Sequence, residues 1–91
     1  MTEVDIYTKA YCPFCTQAIA LLEHKLAAHP SLKVNKINID GDIALRKKMI
    51  KRSNGGYTVP QIFINNVHVG GCDQLMALEM NKQLDALLTN N

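Results

Sequence analysis

Lys9-Ala10-Tyr11-Cys12-Pro13-Phe14-Cys15 stands where an extended apolar run gives way to a long helical pattern, with two cysteines three residues apart at the junction. On a helix, positions i and i+3 share a face, with Cβ atoms about 5–6 Å apart. A disulfide tolerates Cα separations of about 4.4–6.8 Å, so such a pair opens and closes with little backbone movement. Pro13 suits the first helical position, because its missing N–H would have no partner there and its φ is already helical. Cys12 therefore falls at or next to the N-cap, facing unpaired backbone N–H groups and the positive end of the helix dipole, with Lys9 three residues upstream as a further cation. Such surroundings bring a thiol pKa from about 8.5 down to about 3.5–7.5, which makes Cys12 the candidate nucleophile. Cys15 opens an apolar stripe with Ile19, Leu22 and Leu26 and reads as the sheltered thiol. An exposed cysteine followed by a buried one suits attack on a disulfide and then internal resolution of the mixed disulfide.

Length and composition bound this chemistry. A chain of 91 residues, 47% of them hydrophobic, is expected to make one domain, residues 1–91, with a single modest core. Met1-Thr2-Glu3-Val4-Asp5 carries acids instead of the basic start of a signal peptide, and no apolar run approaches membrane-spanning length. A cytoplasmic protein without membrane contact is the expectation. Three cysteines outside a secretory context favour redox chemistry over a disulfide framework. A structural zinc site wants four ligands; beyond Cys12 and Cys15 the sequence offers only Cys72, His24, His29 and His68, with no second close pair, so no metal is expected. The net charge of +2 makes no case for nucleic acid.

In chain order, Val4–Thr8 reads as a strand with Val4 and Ile6 on one face and Asp5 and Tyr7 on the other. A helix is predicted over Pro13–Ala28 and a second strand over Lys33–Ile39, which together make a βαβ unit. Asp40-Gly41-Asp42 supplies a turn and N-cap for a helix over Ile43–Arg52. Lys47, Lys48, Lys51 and Arg52 cluster on one side of it, either as a plain solvated face or as a guide for an anionic ligand or acidic partner. Asn54-Gly55-Gly56 ends that helix. Pro60 must lie at the margin of the strand Gln61–Ile64, since proline cannot donate to a ladder. Asn65-Asn66 fits a two-residue hairpin turn, and Val67-His68-Val69 returns with His68 facing outward. Gly70-Gly71 leads to a last helix over Asp73–Leu88, where Met76, Met80, Leu84 and Leu87 form one stripe and Leu75 and Leu78 lie off it; Thr89-Asn90-Asn91 reads as a frayed end.

With C-x-x-C between the first strand and helix, the order β-α-β-α-β-β-α resembles the thioredoxin fold, an α/β architecture with a four-stranded mixed sheet flanked by three helices. Cys12-Pro13-Phe14-Cys15, Thr58-Val59-Pro60 and Gly70-Gly71-Cys72-Asp73 together resemble a dithiol glutaredoxin over nearly the whole chain. The stretches 49–53 and 58–64 look most like the bacterial glutaredoxin 3 type. The resemblance implies a glutathione-dependent thiol-disulfide oxidoreductase, with Cys12 as nucleophile and Cys15 as resolving thiol. Its co-substrate would be glutathione, with no tightly bound cofactor, and its partners disulfide-bonded or glutathionylated proteins, met as a monomer.

The same resemblance implies a glutathione site. Lys9 would contact the glycyl carboxylate, Phe14 would form an aromatic wall, and Thr58 would shape the groove. The Val59 backbone, before a cis Pro60, would pair with the cysteinyl part like a short strand. The N–H groups of Cys72 and Asp73 would hold the γ-glutamyl carboxylate and the Asp73 side chain its ammonium, while Asp73 also caps the last helix. Two departures stand out. Phe14 replaces the tyrosine common between the active cysteines, and Gly55-Gly56-Tyr57 fills a stretch where relatives often carry a basic or amide side chain, leaving Lys48, Lys51 or Arg52 for that contact. Two other readings stay open: a redoxin of this fold reduced by a flavin-dependent thioredoxin reductase, and an iron–sulfur carrier ligated through Cys12 and glutathione thiolates. Pro13 argues against the carrier, because in glutaredoxins a proline after the first cysteine generally goes with poor cluster binding.

Overall fold

Strand β1, Thr2–Thr8, sends alternate side chains to opposite faces, and both faces are covered: Val4 and Ile6 are fully buried on one side and Tyr7 on the other. Its edges are taken as well. β2 (Leu32–Asn38) runs parallel to it with Val4 opposite Val34, and β3 (Gln61–Ile64) runs antiparallel with Ile6 opposite Ile62. β4 (Val67–Gly70) closes the far edge through a two-residue turn at Asn65 and Asn66, both at positive φ, which asparagine accepts more readily than most residues. The computed structural model, which describes residues 2–89, thus holds a four-stranded mixed sheet in the order β2-β1-β3-β4.

Two clusters follow from the alternation. Val4, Ile6, Ile62 and Ile64 meet Ala18 and Leu22 of α1 (Pro13–Lys25), Leu75 of α3 (Cys72–Met80), and Leu84 and Leu88 of α4 (Leu84–Leu88). Tyr7 and Phe63 turn the other way, toward Ile39 and toward Met49 of α2 (Ile43–Arg52). Arg52 belongs to this second side. Its guanidinium lies 4.0 Å from the Phe63 ring centroid, 3.2 Å from Asp5 Oδ2 and 3.0 Å from the Tyr7 hydroxyl. It is therefore withdrawn from the basic cluster expected on α2, which leaves Lys47, Lys48 and Lys51 exposed. Among the described residues no helix is long and apolar enough to cross a membrane.

The structure departs from the expected elements at three helix ends. α1 stops at Lys25 instead of Ala28, and its buried face runs Cys15, Ala18, Leu22 and Lys25, while Leu26 is 39% exposed. Lys25 tolerates this burial because its ammonium sits 2.9 Å from Glu79 and 3.0 Å from Asp85. α3 begins at Cys72 with Gly71 as N-cap, so Asp73 is its second residue and not its cap. The last helix is broken in two, giving four helices among the described residues where three were expected. The break is a Schellman motif: Lys82 takes φ 58°, its N–H reaches the Glu79 carbonyl at 3.0 Å, and the Gln83 N–H reaches the Leu78 carbonyl at 2.8 Å. The chain then starts a new helix in a new direction, so the expected stripe dissolves: Leu84 is fully buried, whereas Met80 is 82% and Leu87 45% exposed.

α4 is held by apolar and polar contacts together. Besides Leu84 and Leu88, the Thr2 hydroxyl donates to the Leu88 carbonyl at 3.0 Å, and Asp85 joins Lys25 to His29. The hydrogen bond with His29, and then the one from Lys25, holds the Asp85 carboxyl below its ordinary range. A lowered folded-state value means that the stabilisation is present above the ordinary carboxylate pKa and is lost as pH falls through the lowered one. Thermal melts should therefore show an acid limb beginning near pH 4 that is shallower in Asp85→Asn. In urea titrations Leu84→Ala should lose about 2–5 kcal/mol, whereas Met80→Ala should stay within about 0.5 kcal/mol of the parent.

Candidate active site

Pro13 opens α1, and Cys12, extended at φ −114° and ψ 101°, is its N-cap. The Cys15 N–H donates to Cys12 Sγ at 3.2 Å, so sulfur plays the part that a serine or aspartate oxygen usually plays in this position. The two cysteines form a disulfide, with Cα atoms 5.2 Å apart. Cys12 is half-buried and Cys15 only 2% exposed. The residues just before them are open to solvent: Lys9, Ala10 and Tyr11 are all exposed, and Tyr11 takes φ 55°.

The facing wall comes from far along the chain. The Val59–Pro60 peptide is cis, and the Val59 carbonyl oxygen lies 3.9 Å from Cys12 Sγ. From there a groove of about 660 Å³ runs past Thr58 and Pro60 to the start of α3. Phe14, Thr58, Val59, Pro60, Cys72 and Asp73 all line it, so the fold brings these sequence candidates together. Lys9 is outside that lining. The N–H groups of Cys72 and Asp73, in the first turn of α3, have no acceptor within their own helix. The Gly71 N–H is already taken by Gln74 Oε1 at 2.8 Å.

Sequence reasoning missed two polar residues of this groove. Gln61 is only 6% exposed, and its Oε1 lies 2.7 Å from His68 Nε2, whose ring packs on Phe63 at 5.0 Å between centroids. Outward alternation gave His68 no partner, and the pairing depends on a register shift between Ile62 and Phe63 that no residue type announces. The same glutamine explains a glycine. A Cβ on Gly56 would stand 2.9 Å from Gln61 Nε2 and 3.0 Å from Ser53 Cβ, so a side chain there would have to displace a buried amide. That crowding is specific to Gly56, since a Cβ at Gly55 would meet nothing within 4 Å. Of the cations expected to stand in for a basic side chain here, Arg52 is engaged with Asp5 and Tyr7, and Lys48 and Lys51 remain exposed.

Cys72 is the third thiol. Burial, and then the negative charge of Asp73, push its pKa above the ordinary thiol value, and its Sγ lies 3.8 Å from Gln17 Oε1 as a weak donor. It stays a protonated thiol where a nucleophile must ionise.

A helix-capping cysteine paired with a buried one, facing a cis-proline just ahead of an antiparallel strand, defines a thiol-disulfide oxidoreductase of thioredoxin-like fold. Comparison with known proteins narrows the class. The glutaredoxin family model matches residues 4–69. Glutaredoxin 3 of Escherichia coli (strain K12) is 50% identical over 88 residues, which cover 97% of this chain and 99% of that protein. The solution structure of glutaredoxin from Brucella melitensis is 46% identical with a TM-score of 0.77, covering 97% of this chain and 89% of that one. A buckwheat glutaredoxin–glutathione complex, 25% identical, superposes with a TM-score of 0.80 over 97% of this chain and 77% of that one. The chain belongs to the glutaredoxin family, glutathione-dependent disulfide reductases with a C-x-x-C active site.

The raised pKa of Cys72 has a measurable result. In the reduced protein at pH 7, iodoacetamide should modify Cys72 about tenfold more slowly than free cysteine, as followed by mass spectrometry of the digested chain.

Proposed function

We propose that this chain reduces protein–glutathione mixed disulfides and protein disulfides in the cytoplasm, as a single-domain monomer, with Cys12 as nucleophile and Cys15 as resolving thiol. The observation that carries the proposal is the Cys12 sulfur at the α1 N-cap, accepting the Cys15 N–H and lying 3.9 Å from the Val59 carbonyl at one end of the groove. A thiolate there gains a hydrogen bond and the positive end of the dipole without moving any backbone.

With a mixed disulfide, the Cys12 thiolate attacks the glutathione sulfur. A Cys12–glutathione disulfide forms, the substrate's sulfur leaves as a thiolate and takes a proton from solvent. A second glutathione thiolate then attacks the glutathione sulfur of that intermediate, releasing glutathione disulfide and restoring the Cys12 thiolate. With a protein disulfide, Cys12 attacks one sulfur and Cys15 then attacks Cys12, so the substrate leaves as a dithiol and the Cys12–Cys15 disulfide remains. Two glutathione molecules return that disulfide to the dithiol, and one glutathione disulfide leaves.

The groove suits glutathione chemically. Val59 offers backbone groups beside the reacting sulfur for strand-like pairing with the cysteinyl unit. The N–H groups of Cys72 and Asp73 suit the γ-glutamyl carboxylate and the exposed Asp73 carboxylate its ammonium. Phe14 and Thr58 wall the groove. Lys9, exposed on the loop before Cys12, supplies a cation for the glycyl carboxylate, with Lys48 and Lys51 as further exposed cations.

The test is turnover of a glutathionylated peptide coupled to glutathione reductase and NADPH, beside reduction of a protein disulfide. Cys12→Ser should abolish both activities, and Cys15→Ser should keep the first and lose most of the second. Asp73→Ala should raise the glutathione concentration needed for half-maximal rate about tenfold, as expected for losing one charged hydrogen bond. Full activity in Cys12→Ser would sink the assignment.

A further inference from the structure

We propose that Asp40 is a positioning residue for the redox centre, fixing the Lys9-Ala10-Tyr11 loop, and through it Cys12, by accepting the Ala10 N–H. The bond from that N–H to Asp40 Oδ2 is 2.7 Å long and bridges 30 residues of sequence. It joins the two loops that leave the C-terminal ends of the parallel strands β1 and β2.

The loop needs an outside anchor. Lys9, Ala10 and Tyr11 are three exposed residues in a row, and the Tyr11 side chain is wholly in solvent, so packing does not fix them. Tyr11 nevertheless takes φ 55°, a left-handed conformation uncommon for a bulky residue. An isolated segment would relax out of it. A hydrogen bond from the neighbouring amide to an ionised carboxylate is of the strong, charge-assisted kind, able to hold the turn.

Asp40 is itself held on both sides. Its own N–H donates to Asn38 Oδ1 at 2.7 Å. The preceding residue, Ile39, is buried, gives its N–H to the Thr8 carbonyl at 2.9 Å, and accepts the Asp42 N–H at 3.0 Å. Asp42 then caps α2 through the Leu45 N–H. The carboxylate therefore rests on the sheet and on α2, while the loop it holds ends at the N-cap of α1. Position and charge act on Cys12 with opposite signs. Removing a negative charge alone can only make a thiolate easier to form, whereas losing the loop's position takes the sulfur away from the Cys15 N–H and makes it harder.

This inference rests on the reading of Cys12 as the attacking thiolate, and the experiment separates the two. The reduced protein is alkylated with iodoacetamide across pH, reading Cys12 by mass spectrometry, and kcat/KM is measured with a glutathionylated peptide for the parent, Asp40→Ala, Asp40→Asn and Cys12→Ser. Asp40→Ala should move the alkylation midpoint to higher pH and lower kcat/KM about tenfold, the value of one charge-assisted bond. Asp40→Asn keeps an oxygen acceptor and should restore activity to within about twofold of the parent, with the midpoint unmoved or lower. In the parent, the Ala10 amide should exchange with deuterium at least about tenfold more slowly than an unstructured amide. The proposal is overturned by an Asp40→Ala protein that matches the parent, by a midpoint that falls in both Asp40 variants, or by unprotected exchange at Ala10. The last arm needs no variant to fold. Full activity in Cys12→Ser would overturn the proposed function itself; an inactive Cys12→Ser beside an unchanged Asp40→Ala overturns the role of Asp40 alone.

Discussion

Strand β1 is covered on both faces and paired on both edges, and the rest of the molecule is arranged by that fact. A strand so enclosed leaves only Glu3 near its start exposed, so its alternation feeds two separate apolar clusters: Val4 and Ile6 build one with α1, α3 and α4, while Tyr7 builds the other with α2. Because β2 is parallel to β1, the loops after both strands emerge at the same end of the sheet. The antiparallel β3 enters at that end, with cis Pro60 just ahead of it. The cysteine pair, the Asp40 turn and the Val59 wall thus meet by topology, before any side chain is considered.

What the sequence made legible is what short-range chemistry determines. Two cysteines around a proline at a helix start imply both the cap and the burial contrast, and the structure has Cys12 half-buried at the N-cap and Cys15 inside. Asn65-Asn66 was readable as a hairpin turn because asparagine accepts positive φ. The end of α2 was readable for the same reason: Asn54 and Gly55 form a Schellman stop, with the Gly55 N–H on the Ile50 carbonyl at 2.9 Å. The same motif ends α3, but there a lysine takes the left-handed position. Nothing in the residue type marked it, so one continuous helix was expected where two stand.

The other unread features are long-range. Lys25 looks like an ordinary helix-face lysine until Asp85, 60 residues later, arrives beside it. Arg52 reads as part of a basic face until Asp5, Tyr7 and Phe63 enclose it. In each case a charge that pattern alone would assign to solvent is drawn inward by partners on a distant strand or helix. Gln61 and His68 are a milder instance: each is unremarkable in its own strand, and only the irregular β3–β4 register makes them a pair.

The contact between Cys12 Sγ and the Val59 carbonyl spans 47 residues of sequence, and this separates two properties that the finished site combines. The cysteine pair and its helix cap are local, set where the loop after β1 meets the start of α1. The facing wall is global, since Val59 reaches the sulfur by virtue of β3 lying against β1. A chain still emerging from the ribosome at residue 50 has both thiols and no wall to choose what they meet. Folding therefore acts on the sulfur twice: α1 caps it, and the later strand walls it in.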